Sequence, residues 1–242
     1  VRSVLLSELL GRTLAVDPVR ALRHLCAPHA ARGHRSAGPV VSTAETRSGA
    51  SGEACQPHKM NRESLSVSIK REMPEDHDAI RRVVIAAFRS DAEAELVDRI
   101  RASPECVSEM ALVAESDGSV VGHVMVSNAI VRSNDGGERQ ISMLSPLAVR
   151  PDLQRLGIGS ALVKAVLEIA DARGEPLVIL EGSPAYYRRF GFEHSVLHGI
   201  EIRLPDWAPA EAAQVKRLAA FDPDDGTLKG TVIHPAAFDG LE

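Results

Sequence analysis

Apolar positions in this chain recur in two rhythms, and the rhythm switches repeatedly between residues 66 and 192. Ser66–Arg71 alternates with a period of two, placing Val67 and Ile69 on one side, which predicts a short strand. Pro74 then opens a helix through Phe88, because Ile80, Val83, Val84 and Ala87 share one helical face and proline suits a first turn. Glu93–Arg101, with Leu96, Val97 and Ile100, predicts a second helix. Two strands follow, Met110–Glu115 and Val120–Val131, joined through Ser116–Ser119, whose Asp117-Gly118 is hairpin-turn chemistry. Asn134–Gly137 is another turn, leading into a strand over Gln140–Val149. A helix from Gly157 to Arg173 is stopped by Gly174 and Pro176. A strand Leu177–Leu180, a short helix from Pro184 and a strand starting near Phe192 come next. The order β-α-α-β-β-β-α-β-α-β predicts a mixed α/β domain with an antiparallel first half. From Ile200 onward the chain reads as further strands around a hairpin at Asp222–Gly226, closing the sheet.

Residues 1–60 follow neither rhythm for long. Leu6, Leu9, Leu10 and Leu14 allow one short amphipathic helix. Residues 27–59 are rich in Ser, Gly, Ala, Arg and His, and cannot bury enough apolar surface to offset the entropy of ordering them. Charge divides at the same place: residues 1–59 hold eight Lys/Arg against four Asp/Glu, and the remainder holds 20 against 29. The chain begins with Val1, and Met60 directly precedes the first clean strand pattern. Residues 1–60 therefore read as a disordered extension or a misplaced start, and residues 61–242 as the folded domain. Glu8, Asp17, Glu45 and Glu53 count against an organellar transit peptide.

Composition narrows the function classes. Of 242 residues, 44% are hydrophobic and 25% charged, the balance of a soluble globular protein. No apolar run approaches the ~20 residues of a membrane span. A net charge of −5 without a basic stripe argues against nucleic-acid binding. Cys26, Cys55 and Cys106 show no pairing pattern, so a reducing cytoplasm is the expected location. His194 and His198 lie four apart but follow a strand without a Cys or acid motif, so no metal is expected. There is no Gly-x-Ser-x-Gly elbow to present a nucleophile.

The most informative stretch runs from Leu144 to Ser160. A helix N-terminus exposes unpaired N–H groups and a partial positive charge, so it attracts anions. Gly157 and Gly159 remove the Cβ atoms that would hold a phosphate away, and Gln154 and Arg155 can add side-chain donors. Ile158, Leu162, Ala165 and Ile169 give the helix behind an inward face. A dinucleotide fingerprint fits worse, although Glu181 ends the next strand. Leu162 stands where its third glycine belongs, and Arg150–Leu156 separates strand from glycines. Pro146 cannot donate to a strand ladder and marks an edge or a bulge. Such a bulge would leave backbone groups free for an extended ligand carrying amides.

Gln154-Arg155-Leu156-Gly157-Ile158-Gly159 resembles the Q/R-x-x-G-x-G/A signature of the GNAT superfamily of N-acetyltransferases. Leu147–Pro151 is similar to that family's preceding strand and loop, and Tyr187, Gly191 and Phe192 match its Tyr-x-x-x-Gly-Phe pattern. The tail resembles that of a small bacterial branch of predicted acetyltransferases. The resemblance implies a mixed, mostly antiparallel sheet flanked by helices, with splayed central strands. It implies acetyl-CoA as co-substrate, bound by Leu147, Ala148, Val149, Gln154, Arg155, Leu156, Gly157, Ile158, Gly159 and Ser160. The amides of Leu147 and Val149 would hold pantetheine and polarise the thioester carbonyl. Tyr187 would be the acid for the departing thiolate, and Tyr186 would pack or line the pocket. The implied partners are acetyl-CoA and an amine of a small molecule or protein, in a direct transfer without a covalent intermediate. The acidic balance favours a cationic acceptor. A homodimer is compatible with this, and a catalytically silent acyl-CoA sensor is the alternative. The base is not identified; Glu138, Glu181 and His123, on or beside the central strands, are its candidates.

Overall fold

A computed structural model of the chain describes residues 66–239. The extension over residues 1–60 and the short helix around Leu6–Leu14 lie outside the described residues. In chain order the elements are β1 (Ser68–Arg71), α1 (His77–Phe88), α2 (Ala92–Ala102), β2 (Leu112–Ser116), β3 (Ser119–Arg132) and β4 (Glu138–Val149). They continue with α3 (Ile158–Ala172), β5 (Leu177–Glu181), α4 (Pro184–Tyr187), β6 (Glu193–His194), β7 (Ile200–Glu201), β8 (Ala213–Arg217) and β9 (Gly230–Ile233). Pro74–Asp76 forms a separate tight turn before α1, so the helix starts later than the proline signal suggests.

The strands form one sheet in the order β1-β2-β3-β4-β5-β8-β6, with β9 added to β3 and β7 to β9. Every pairing is antiparallel except β4 with β5 and β7 with β9. The mixed, mostly antiparallel sheet flanked by helices is therefore as expected. The C-terminal hairpin is not: β8 pairs with β5 and β6, whereas β9 pairs with β3 and β7. The turn at Asp222–Gly226 links two strands that belong to different parts of the sheet. Turn chemistry is local, and it cannot say which distant edge a strand will join.

Each face of the sheet carries its own core. Ile80, Val84, Leu96 and Ile100 from α1 and α2 pack with Met125, Ile141, Met143, Leu177 and Ile179. Leu162 and Val166 from α3 pack on the other face with Val124, Val126, Leu144, Val178 and Leu180. Alternate residues of β5 thus enter opposite cores, which explains its unbroken apolar run. Each such side chain contributes about 1.5–3 kcal/mol on burial.

The α1/α2 layer also contains a buried ionic cluster. Glu72, just past β1, accepts hydrogen bonds from His123 Nε2 and Arg101 Nε, both at 2.8 Å. Burial alone would raise the Glu72 carboxyl, but the bonds from His123 and Arg101 outweigh it and hold it at about 2. His123, with no exposed surface, is pushed down by burial against the opposing pull of Glu72. Its Nδ1 has no hydrogen-bond partner. Glu93, in the first turn of α2, is fully buried, and neither of its carboxylate oxygens has a partner.

Candidate functional site

The site begins where β4 and β5 part. The two strands pair only at Ser142–Val178 and Met143–Ile179. Beyond that point β4 continues to Val149 along β3 alone. The register with β3 shifts between Val124–Leu147 and Val126–Leu144, so Ser145 and Pro146 together oppose Met125. This is the bulge the proline predicts, and Pro146 follows a cis peptide bond. Arg150 N–H donates to Val121 O at 2.9 Å, which fixes the alternation of the upper strand. Arg150 and Ala148 address β3; Leu147 and Val149 therefore turn their N–H and C=O groups into the gap left by β5. Val149 O accepts a bond from Gln154 Nε2 at 3.0 Å. Gln154 ties the loop to the strand.

The loop then enters α3 through two left-handed residues, Arg155 (φ 65°) and Gly157 (φ 94°). A non-glycine residue at 157 would be strained, and the space beyond its Cα is open. The first backbone bond of the helix runs from Ala161 N to Gly157 O at 3.0 Å. Among the described residues, the amides of Arg155, Leu156, Gly157, Ile158, Gly159 and Ser160 make no hydrogen bond. Leu153 is buried beneath the loop, while Arg155, Leu156 and Gly157 are exposed. Ile158 is buried and Gly159 and Ser160 are half-buried, so the row of donors starts at the surface and runs inward. Gly122 on β3 lets the helix start lie close: a Cβ there would come within 3.0 Å of Leu162 and 3.1 Å of Ile158. Sequence reading missed Gly122, although a glycine inside a strand signals a close approach.

Two tyrosines meet this region from α4. The Tyr186 hydroxyl lies 2.6 Å from where a Cβ on Gly159 would be, beside the first turn of α3. The Arg189 guanidinium sits over the Tyr186 ring at 4.0 Å, and so brings a positive charge to the same place. Tyr187 is 2% exposed. Its ring packs on Gly182, just past β5, where a Cβ would fall 2.5 Å away, and edge-on to Phe192 at 5.7 Å. Burial pushes the Tyr187 phenol far above its ordinary range; Tyr186 adds to this and Arg189 opposes it. The phenol is therefore protonated at any physiological pH.

The base candidates separate. Glu138 lies at the opposite end of β4 from the gap, exposed and paired with Arg132 at 2.7 Å. His123 is enclosed with Glu72 beneath the sheet. Glu181 ends β5 beside the gap, and its Oε1 lies 2.8 Å from Nε2 of His234, a residue that nothing local in the sequence singled out. Among the described residues, no group of His, Cys, Asp and Glu is arranged to hold a metal ion, and no helix is long and apolar enough to cross a membrane.

Comparisons with known proteins converge on the same region. The model of the family described as an acetyltransferase (GNAT) domain matches residues 68–195. YhbS of Escherichia coli, described as an uncharacterized N-acetyltransferase, is 36% identical over 153 residues, which covers 62% of this chain and 87% of that protein. A crystal structure of YhbS in complex with CoA has a TM-score of 0.65 and 33% identity, covering 74% of this chain and 95% of that one. A GNAT family acetyltransferase from Brucella melitensis in complex with acetyl-CoA has a TM-score of 0.57 and 31% identity, covering 73% of this chain and all of that one (100%).

Proposed function

This chain belongs to the GNAT acetyltransferase family, and from that premise we propose that it transfers an acetyl group from acetyl-CoA to an amine. The observation that carries the reading is the open row of amides from Arg155 to Ser160, set directly beside the parted strand. A diphosphate fits donors of that kind at a helix start. Gly157 keeps the approach clear, Gly159 leaves room for the Tyr186 hydroxyl, and Ile158 holds the turn against the sheet. Leu156 flanks the amide row, Ser160 closes it, and Arg155 and Arg189 add positive charge. Gln154 serves by fixing the loop to Val149.

The extended pantetheine arm pairs with Leu147 and Val149, whose backbone groups point into the gap, while Ala148 keeps β4 attached to β3. One of those amides polarises the thioester carbonyl, the role of an oxyanion hole. Tyr187, held protonated by burial, donates to the sulfur as the carbon–sulfur bond breaks. Tyr186, with its hydroxyl at Gly159, contacts the diphosphate side of the site. The acceptor is a cationic amine, in keeping with the 29 acidic residues against 20 basic ones from residue 60 onward.

Calorimetry with acetyl-CoA tests the core of this reading. Stoichiometric binding that disappears in Gly157→Glu or Gly159→Glu is the expected outcome. Lack of binding at millimolar ligand refutes it. Thiol release across a panel of amines, with products identified by mass spectrometry, separates transfer from silent binding and identifies the acceptor.

A further inference from the structure

Glu181 is the last residue of β5, beside the place where that strand leaves β4. Leu177 and Ile179 enter the α1/α2 core, so strand alternation puts Glu181 on that face. Leu180 belongs to the α3 face, as does Gly182, against which Tyr187 packs. Glu181 and Tyr187 therefore flank the end of one strand from opposite sides. His234 follows β9, more than fifty residues along the chain, and brings Nε2 to 2.8 Å from Glu181 Oε1. The side chains are 10% and 14% exposed, and the Phe238 ring lies 5.8 Å from the imidazole. Withdrawing such a pair from water carries a desolvation cost that an apolar pair of the same size would avoid. Its placement at the mouth of the gap suggests what offsets that cost.

We propose that His234 and Glu181 together form the base of the acetyl transfer, with the imidazole taking the acceptor's proton and Glu181 positioning it. The proposal rests on the acetyltransferase reading above. An ammonium must lose two N–H protons to become an N-acetyl amide. As the nitrogen–carbon bond forms and the carbon–sulfur bond breaks, the electron pair leaves with sulfur. One proton reaches that sulfur from Tyr187, which is reprotonated from the reacting nitrogen; the other goes to His234. The resulting imidazolium stands against the Glu181 carboxylate until it returns its proton to water. Imidazole is the side chain ordinarily poised to exchange a proton near neutrality, and a carboxylate that accepts its N–H both orients the ring and stabilises its charged form. Acid and base then approach the reacting carbon from the two faces of the sheet. The remaining candidates are elsewhere: His123 is sealed beneath the sheet and Glu138 is at the far end of β4.

The test uses the full chain and an acceptor found in the amine panel. His234→Gln and Glu181→Gln are each expected to lower kcat by about 10²–10⁴-fold. Acetyl-CoA binding, read by calorimetry, is expected to be unchanged, which also shows that the variants fold. The double variant is expected to be no slower than His234→Gln, because the two residues act as one unit. Added imidazole should restore part of the turnover of His234→Gly, a response that a purely structural histidine would not give. Should His234 variants fail to bind acetyl-CoA, Glu181→Gln with its near-identical shape carries the same prediction. Undiminished kcat in Glu181→Gln, or a loss confined to the acceptor KM, overturns the proposal. If the parent chain binds no acetyl-CoA, the underlying reading falls as well; if it transfers acetyl groups and both variants match it, this proposal alone falls.

Discussion

On the α3 side of the parted strands, the backbone offers donors without acceptors; on the α1/α2 side, side chains offer carboxylates. The first side has the amides of Arg155 to Ser160 and the guanidinium of Arg189 over Tyr186. The second has Glu181 with His234, Glu72 with His123 and Arg101, and the unpartnered Glu93. The sheet between them is opened by one bulge and one divergence of strands. Under the acetyl-transfer proposal, the polyanionic donor would meet the amide row and the acceptor would meet Glu181 at the gap, while Glu72 and Glu93 stay buried behind it. The contrast shows that the site's polarity is built from two unlike materials. Backbone donors come with the start of a helix, whereas Glu181 and Glu72 are each held by side-chain partners from distant parts of the chain.

The strongest way to break this contrast is to put negative charge among the amides. Gly157→Glu adds a carboxylate and forces a non-glycine residue to φ 94°. It should weaken acetyl-CoA binding by about 10³-fold, or about 4 kcal/mol. Calorimetry reads this directly, and binding that stays at the parent level would show that the donor row is not the anion site.

Next in size is a test on the carboxylate side. Glu72 is held at about 2 in the folded chain, against an ordinary glutamate value of 4.5. The unfolded state therefore binds the additional proton over that interval, so stability rises with pH there. The contribution is complete above about pH 4.5 and lost as pH falls toward 2, and it amounts to about 3 kcal/mol. Glu72→Gln should lower the urea midpoint at pH 7 and flatten the dependence of stability on pH between 4.5 and 2. An unchanged acid limb would mean that the cluster does not govern acid unfolding.

A smaller effect is expected at the tyrosine. Transfer of a proton from an ordinary phenol to a thiolate is uphill by about 2 kcal/mol, and burial of Tyr187 makes its phenol a weaker acid still. A thiolate also leaves passably unaided, so Tyr187→Phe should reduce kcat by about 10²-fold, the low end for an acid catalyst. Tyr186→Phe should act on acetyl-CoA affinity instead. Reversal of the two effects would exchange the roles of the two rings.

The smallest change concerns Glu93. Replacement by Leu removes a buried carboxylate with no hydrogen-bond partner, and should raise unfolding stability by about 1–2 kcal/mol. Stability that falls in urea denaturation would show that Glu93 supports its surroundings. A gain accompanied by slower transfer would mark it as a group retained for the acceptor.

Much of this protein was determined by short stretches of sequence, because the forces involved act within a few residues. Pro146 broke the ladder of β4, Gly157 supplied the left-handed step, and the periodicity of α3 placed Ile158 and Leu162 inside, although Val163, Val166 and Ala170 are buried where Ala165 and Ile169 were expected and those two are only half-buried. The amides of its first turn are free because any helix start leaves them so. Only the tertiary structure decided how far β5 follows β4, which core Tyr187 enters, and where β8 and β9 attach. It alone joined His234 to Glu181 and Arg101 and His123 to Glu72. Those contacts link positions 29 to 53 residues apart. Charge pairing across such distances leaves no periodic trace in the chain, since it is selected by the packing of whole layers and not by the rotation from one residue to the next.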